Sequence, residues 1–157
     1  MRLPESIRPI LEKITNRTDD KIEFWNYAHG EQLTDLFFQL SSELILSELD
    51  ENSLPKGYKL VAYLFYWEQN CQFSGWFAFE NLKDSIDSIV QAYRDIGLVG
   101  EANGIAKAME EWFRSDGDDV KVGEAYSSVE NQYKVDFDRF NYFNDYFNDN
   151  KELFYEQ

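Results

Sequence analysis

The chain has 157 residues, 43% of them hydrophobic and 17% aromatic, enough to bury a core within one domain and too apolar for a disordered chain. Its 30 acidic side chains outnumber 15 basic ones, for a formal charge of −15. That excess repels nucleic acid and anionic membrane surfaces, which excludes direct phosphate-backbone binding and leaves cations or basic protein surfaces as partners.

In chain order, residues 5–15 place Ile7, Ile10, Leu11 and Ile14 at helical spacing, with Pro9 tolerated in an early turn. A short helix is expected around 21–28. Over 31–49, Leu33, Leu36, Phe37, Leu40, Leu44 and Leu49 form an apolar stripe, broken by "ENSLPKG" at 51–57. Residues 58–69 are apolar almost all round, as in a helix buried on most sides, although their Val, Tyr and Phe content also suits a strand. Residues 82–96 are helical in pattern and end at Gly97, a C′ glycine, and a further helix covers 99–113. "SDGDDVKVGE" (115–124) reads as a polar loop, with helix returning from about 124. These patterns predict an all-α fold, a single-domain compact bundle of about six to eight helices spanning residues 1–157.

The closing stretch, "FDRFNYFNDYFND" (137–149), lacks any aliphatic residue. At 100° per residue from Asp136, Phe137, Phe140, Phe143, Phe147, Phe154 and Tyr155 fall between about −20° and 100°. Asp138, Asp145, Asp149, Glu152 and Glu156 fall between about 160° and 220°. The result is an amphipathic helix with an aromatic face for the core, an acidic ridge outside and Asp136 as its cap. Acidic rather than basic polar residues exclude a membrane-surface helix.

Little in the chain promises catalysis. His29 is the one histidine, which rules out two-histidine zinc sites. Cys71 is the one cysteine, so no intramolecular disulfide is possible and a reducing compartment fits; its simplest role is a small buried residue. The loop 116–124 fails the register of an EF-hand, because Val120 stands at the third ligand position after Asp116 and Asp118. No enzyme activity, cofactor or metal site is expected. The opening "MRLPESIRPILEKITNR" lacks a signal peptide's apolar run, and the longest apolar stretch, "LVAYLFYW" (60–67), is far short of a membrane span. A soluble cytoplasmic protein follows.

"YLFYWEQNCQFSGWFAFEN" (63–81), followed by "IVQAYRDIGLVGEANGIAKAMEEW" (89–112), resembles a bacterial domain family that includes the DNA mimic proteins. In that family a helix ends in a Glu-x-x-Asn-Gly-Gly-Phe turn, followed by an aromatic pair and an Asn; a second helix ends in Ile-Gly, and a third is Ala-rich. Asn70, Phe73, Trp76, Phe77 and Asn81 match the first part and Ile96-Gly97 the second, while Cys71 and Gln72 replace the two glycines. "VDFDRFNYFNDYFNDN" resembles the closing helix, so the likeness covers about 58–150. It implies an all-helical fold and, for the characterised DNA mimic, an acidic surface that occupies a transcription factor's DNA site. The matched residues read as structural, with the Asn side chains serving a tight turn and Phe73, Trp76 and Phe77 plugging the core.

The functional expectation is a non-enzymatic regulator whose carboxylates occupy the nucleic-acid site of a DNA-binding protein. Asp145, Asp149, Glu152 and Glu156, on a continuous helix, would be about 6, 4.5 and 6 Å apart along its axis. One DNA strand presents a charge about every 3.4 Å, so a second row is needed: Asp116, Asp118, Asp119 and Glu124, or a homodimeric partner, would supply it. Two alternatives remain: an immunity-type inhibitor of a cognate basic toxin, and a domain whose acidic face only confers solubility.

Overall fold

The structure, a computed structural model, describes residues 2–15, Trp25 and 30–157. The helices are α1 (Arg8–Thr15), α2 (Gly30–Leu46), α3 (Lys56–Ser74), α4 (Ala78–Asn81), α5 (Ile86–Asp95), α6 (Val99–Arg114), α7 (Asp119–Ser127) and α8 (Asp136–Asp149). Short 3-10 turns occur at Glu51–Ser53, Gly75–Phe77 and Lys151–Phe154. The described residues hold no strand, only one antiparallel bridge between Arg2 and Glu156. The fold is all-α, and the ambiguous stretch 58–69 is helical within α3. The helix expected over 21–28, and His29, lie outside the described residues.

The chain divides into two units, Met1–Tyr66 with Phe140–Gln157, and Trp67–Arg139. In the first, Phe37 of α2 is fully buried among Phe65, Phe147 and Phe154, at ring-centroid distances of 5.6, 5.3 and 6.1 Å. Phe143 packs edge-on against Phe65 at 5.5 Å. The aromatic face of α8 therefore does face a core, and edge-to-face pairs of this kind add about 0.5–1.5 kcal/mol each beyond burial. Asn144 fixes the other edge of that face, donating to the Gly30 carbonyl (3.2 Å) and to Thr34 Oγ1 (2.7 Å).

Three parts of the expected closing helix are corrected. It stops at Asp149, because Asn150 leaves helical geometry (φ −127°, ψ 47°) and its Nδ2 donates to the Tyr146 carbonyl at 2.7 Å, satisfying an end group that the next turn would otherwise serve. Phe154 reaches the core through the following 3-10 turn, where its carbonyl accepts from Tyr58 Oη at 2.9 Å. Glu152 and Glu156 therefore do not continue the ridge of Asp145 and Asp149. Phe137, assigned to the core face, is 57% exposed. Asp136 is the first helical residue rather than the cap: the Val135 carbonyl accepts the first helical N–H, from Arg139 at 3.2 Å, and the Asp136 side chain accepts from the adjacent Phe137 N–H at 2.7 Å.

The second unit is built on tight helix ends. Gly97, at φ 90°, closes α5 with a paired motif in which Leu98 N–H donates to the Tyr93 carbonyl (2.9 Å) and Gly97 N–H to that of Arg94 (3.0 Å). Helix α6 ends with the outer of these two bonds, Gly117 N–H on the Trp112 carbonyl (2.9 Å), and with Asp116, at φ 54°, in the glycine-favoured position. The loop expected over 115–124 is shorter than that, and helix returns at Asp119 rather than near 124. Asp118 is the reason: its Oδ1 accepts from the N–H groups of Val120 and Lys121, both at 3.1 Å, capping α7. The helix expected from 82 instead begins at Ile86, after the single turn α4 and a tight turn closed by Ser85 N–H on the Leu82 carbonyl.

Gly100 and Gly104 give α6 a bare strip against which the segment after α7 lies. A Cβ on Gly100 would collide with the Glu130 carbonyl oxygen, and one on Gly104 would press on Asn131 and the Tyr126 ring at 3.1–3.3 Å. Gly123, by contrast, has its nearest neighbour at 3.7 Å, an ordinary contact with the Trp76 ring. Gly100→Ala should therefore destabilise the protein by about 1–3 kcal/mol through forced backbone movement. Gly123→Ala should stabilise it by up to about 1 kcal/mol through helix propensity. Urea unfolding of the two variants checks both signs.

Candidate functional site

Within the second unit a cavity of about 270 Å³ lies among the last turns of α3, the end of α5, α6, α7 and the start of α8. Helical spacing puts Trp67, Glu68 and Cys71 of α3 on one side of that helix, so all three reach it. Trp76, Tyr93, Ile105 and Tyr126 supply most of the remaining wall; Lys134, Arg139 and the exposed Gly75 complete the lining. The Trp76 indole stands 5.3 Å from the Tyr126 ring, and Phe79 backs Trp67 at 5.0 Å.

Glu68, only 3% exposed, anchors the polar side of this cavity. Arg139 grips it through two parallel bonds, Nε to Oε1 at 2.6 Å and Nη2 to Oε2 at 2.8 Å. Tyr93 Oη donates to the same Oε1 at 2.6 Å. Charge-assisted, bidentate bonding of this kind is what makes a buried carboxylate tolerable. Burial would lower the Arg139 pKa, but the bonds to Glu68 and its charge outweigh that, so the guanidinium is held more firmly protonated than usual. Burial, reinforced by the charge of Glu68 and its bond, raises the Tyr93 phenol well above its ordinary value.

A second buried carboxylate supports the wall. Glu101 Oε1 accepts the Tyr133 N–H at 2.8 Å, and the Tyr133 carbonyl accepts a long bond of 3.4 Å from Arg139 Nη1. The segment that carries Lys134 is thus tied at one residue to both α6 and α8. Cys71 is half-buried, and burial followed by the charge of Glu68 pushes its thiol up, away from nucleophilic thiolate character.

Of the residues singled out in the sequence, Trp76 lines this cavity and Gly97 terminates α5 as expected. Asn81 Nδ2 donates to Asn70 Oδ1 (3.4 Å) and Ser74 Oγ (3.3 Å), tying α4 back to the end of α3. Phe73 and Phe77 are corrected: at 82% and 54% exposed they are outside the core, because α3 continues as helix through Cys71 and Gln72 to Ser74, and the chain reverses only at Gly75 (φ 55°). Asp116, Asp119, Glu124 and Asp138 are exposed in the second unit, with Asp118 partly buried at its cap. Asp145, Asp149, Glu152 and Glu156 are exposed in the first. Among the described residues no group of His, Cys, Asp and Glu side chains is arranged to hold a metal ion, and no helix is long and apolar enough to cross a membrane.

Sequence reasoning passed over Glu68, Tyr93 and Arg139. The signal was present: Glu68 closes an otherwise apolar run, and Arg139 is the one cation in the aromatic–acidic closing helix. Comparison with protein-family models, curated proteins and solved structures finds no match for this chain.

Tyr126 provides a pH test of the cavity wall. Burial, in first place, raises its phenol from 10.0 to about 12. The folded state therefore holds this proton more tightly than the unfolded state. Its contribution is complete below pH 10 and is lost as pH rises toward about 12. Tyr126→Phe should leave neutral stability little changed and make the fall in unfolding free energy between pH 10 and 12 shallower. Denaturant unfolding across that range, giving curves that fall equally steeply, would contradict the assigned environment.

Proposed function

We propose that the protein is an acidic, non-enzymatic binding module that occupies the nucleic-acid site of a basic DNA-binding protein. The observation that carries this reading is at the C-terminal end of α8. Asp149, the last residue, lies there exposed against the negative end of the helix dipole, with Asp145 exposed one turn before it and no basic residue in the last turn. A carboxylate at that end is disfavoured, by about 0.3–1 kcal/mol at low ionic strength. Neither forms an ion pair among the described residues, and the neighbouring Lys151 ammonium instead sits 5.3 Å over the Trp25 ring. A surface needed only for solubility has no reason to put its charges where the helix opposes them.

The acids of the second unit support the reading less directly. Asp118 caps α7 and Asp119 occupies its first turn, where the dipole favours them. Asp116, in contrast, holds a left-handed position in which glycine is conformationally easier. Asp145 and Asp149, four residues apart, are separated by about 6 Å along α8, close to two phosphate intervals of a DNA strand at about 3.4 Å each. In this reading the partner is cytoplasmic and basic, and the protein itself binds no nucleic acid.

One observation favours the toxin-inhibitor reading instead. Phe73 and Phe137 are largely exposed near the Gln72–Asp136 contact (3.5 Å) between the end of α3 and the start of α8. A mixed aromatic and acidic patch of that kind suits tight, salt-tolerant capture of one cognate protein.

The test is capture of partners from lysate by the wild type and by Asp145→Asn/Asp149→Asn. It is run at about 0.1 M and about 0.5 M salt with duplex DNA as competitor, because phosphate-like recognition weakens steeply with salt. The double variant should be more thermally stable than the wild type by a few tenths to about 1 kcal/mol, yet lose a DNA-binding protein that DNA also displaces. A stabilised variant with unaltered capture would leave the carboxylates as solvated surface. Capture that ignores salt and DNA but fails in Phe73→Ser would establish the inhibitor reading in its place.

A further inference from the structure

The cavity lining in the second unit carries more positive than negative side chains, although the buried carboxylates of Glu101 and Glu111 lie elsewhere in the same unit. Around the cavity stand two cations, Arg139 and Lys134, and one carboxylate, Glu68. Glu68 is already neutralised by its two bonds from Arg139. Lys134 is exposed at the rim and forms no ion pair among the described residues. Of the five N–H groups on Arg139, Nε–H and one on each terminal nitrogen are engaged, and two remain without an acceptor among the described residues. The lining thus offers one excess positive charge, at the rim, and spare donors on Arg139 deeper in the site.

Stability does not account for this arrangement. A buried ion pair can be replaced by well-packed apolar residues without loss, and often with gain. Here the pair instead faces a cavity that opens to the surface at Lys134 and Gly75. The other walls are flat and aromatic: Trp67, Trp76, Tyr93 and Tyr126, with Ile105. Convergent polar groups on one side of an otherwise aromatic cavity are the usual form of a small-molecule site.

Size narrows the ligand. A cavity of about 150 Å³ accepts benzene, so 270 Å³ holds one aromatic ring with a charged substituent, or a small bicyclic ring. Nucleotides and peptides are too large to enter whole. The neutral thiol of Cys71 and the saturated carboxylate of Glu68 offer nothing to a cation.

We propose that this cavity binds a small aromatic carboxylate, with its ring against the walls formed by Trp76, Tyr126 and Trp67 and its carboxylate on Arg139 and Lys134. This site is independent of the acidic surface and does not require it to bind a protein. The wild-type chain, labelled with ¹⁵N, is titrated with benzoate, indole-3-carboxylate and the neutral isostere benzamide while the four indole N–H signals are followed. Both carboxylates should move the Trp67 and Trp76 signals saturably and leave those of Trp25 and Trp112 nearly still. Benzamide should bind at least about tenfold more weakly, the worth of one charge-assisted bond. Lys134→Gln, a rim substitution that leaves the fold alone, should weaken benzoate by a similar factor.

Absence of any saturable shift up to about 10 mM of either carboxylate would overturn the proposal. So would equal binding of benzamide, which marks a merely apolar cavity. Unchanged affinity in Lys134→Gln, or shifts confined to Trp25 and Trp112, would do the same by placing the anion elsewhere.

Discussion

The second unit depends on one buried ion pair. Glu68 lies near the end of α3 and Arg139 in the first turn of α8, 71 residues apart in sequence, joined by bonds of 2.6 and 2.8 Å. Removing either partner leaves an uncompensated charge in a dry place, at a cost of about 3–5 kcal/mol. Everything that touches the pair is consequently constrained. Tyr93 must keep its hydroxyl on Glu68, which fixes the end of α5, and Arg139 must stay near Tyr133, which fixes the segment before α8. The cavity is the space these constraints leave open.

In the first unit apolar packing takes the same organising role. Phe37, Phe143, Phe147 and Phe154 are fully buried, and side-chain bonds between distant segments, such as Ser41 Oγ to the Ala62 carbonyl at 2.8 Å and Tyr58 Oη to the Phe154 carbonyl at 2.9 Å, accompany them. Shape there is set by close approach: a Cβ on Gly57 would stand 2.8 Å from the Leu153 carbonyl, so the chain after α8 can lie against α3 only at a glycine. Negative charge is then kept on the outside, where water and salt screen it.

Much of the fold is legible in the sequence because it rests on local signals. The apolar stripe of α2 and the glycine after α5 each encode their element directly. The misread boundaries share another cause. Asp118 ends the loop early because its side chain caps α7, and Asn150 ends α8 early because its side chain satisfies a carbonyl; both are single side-chain bonds that periodicity does not register. Phe73 and Phe77 look like core residues by composition and are exposed because the reversal falls at Gly75, not at the positions where Cys71 and Gln72 stand. Glu68 and Arg139 could have been noticed as opposite charges set in two apolar helix faces. Their pairing could not, because it depends on how α3 and α8 meet.

A double-mutant cycle at Glu68 and Arg139 tests this account most directly, using Glu68→Leu, Arg139→Met and the combination, each measured by urea unfolding. Arg139→Met, which strands the carboxylate, should cost about 3–5 kcal/mol, and the combined variant should recover most of that loss. Losses that simply add, with no coupling between the two positions, would mean that the pair does not organise this unit.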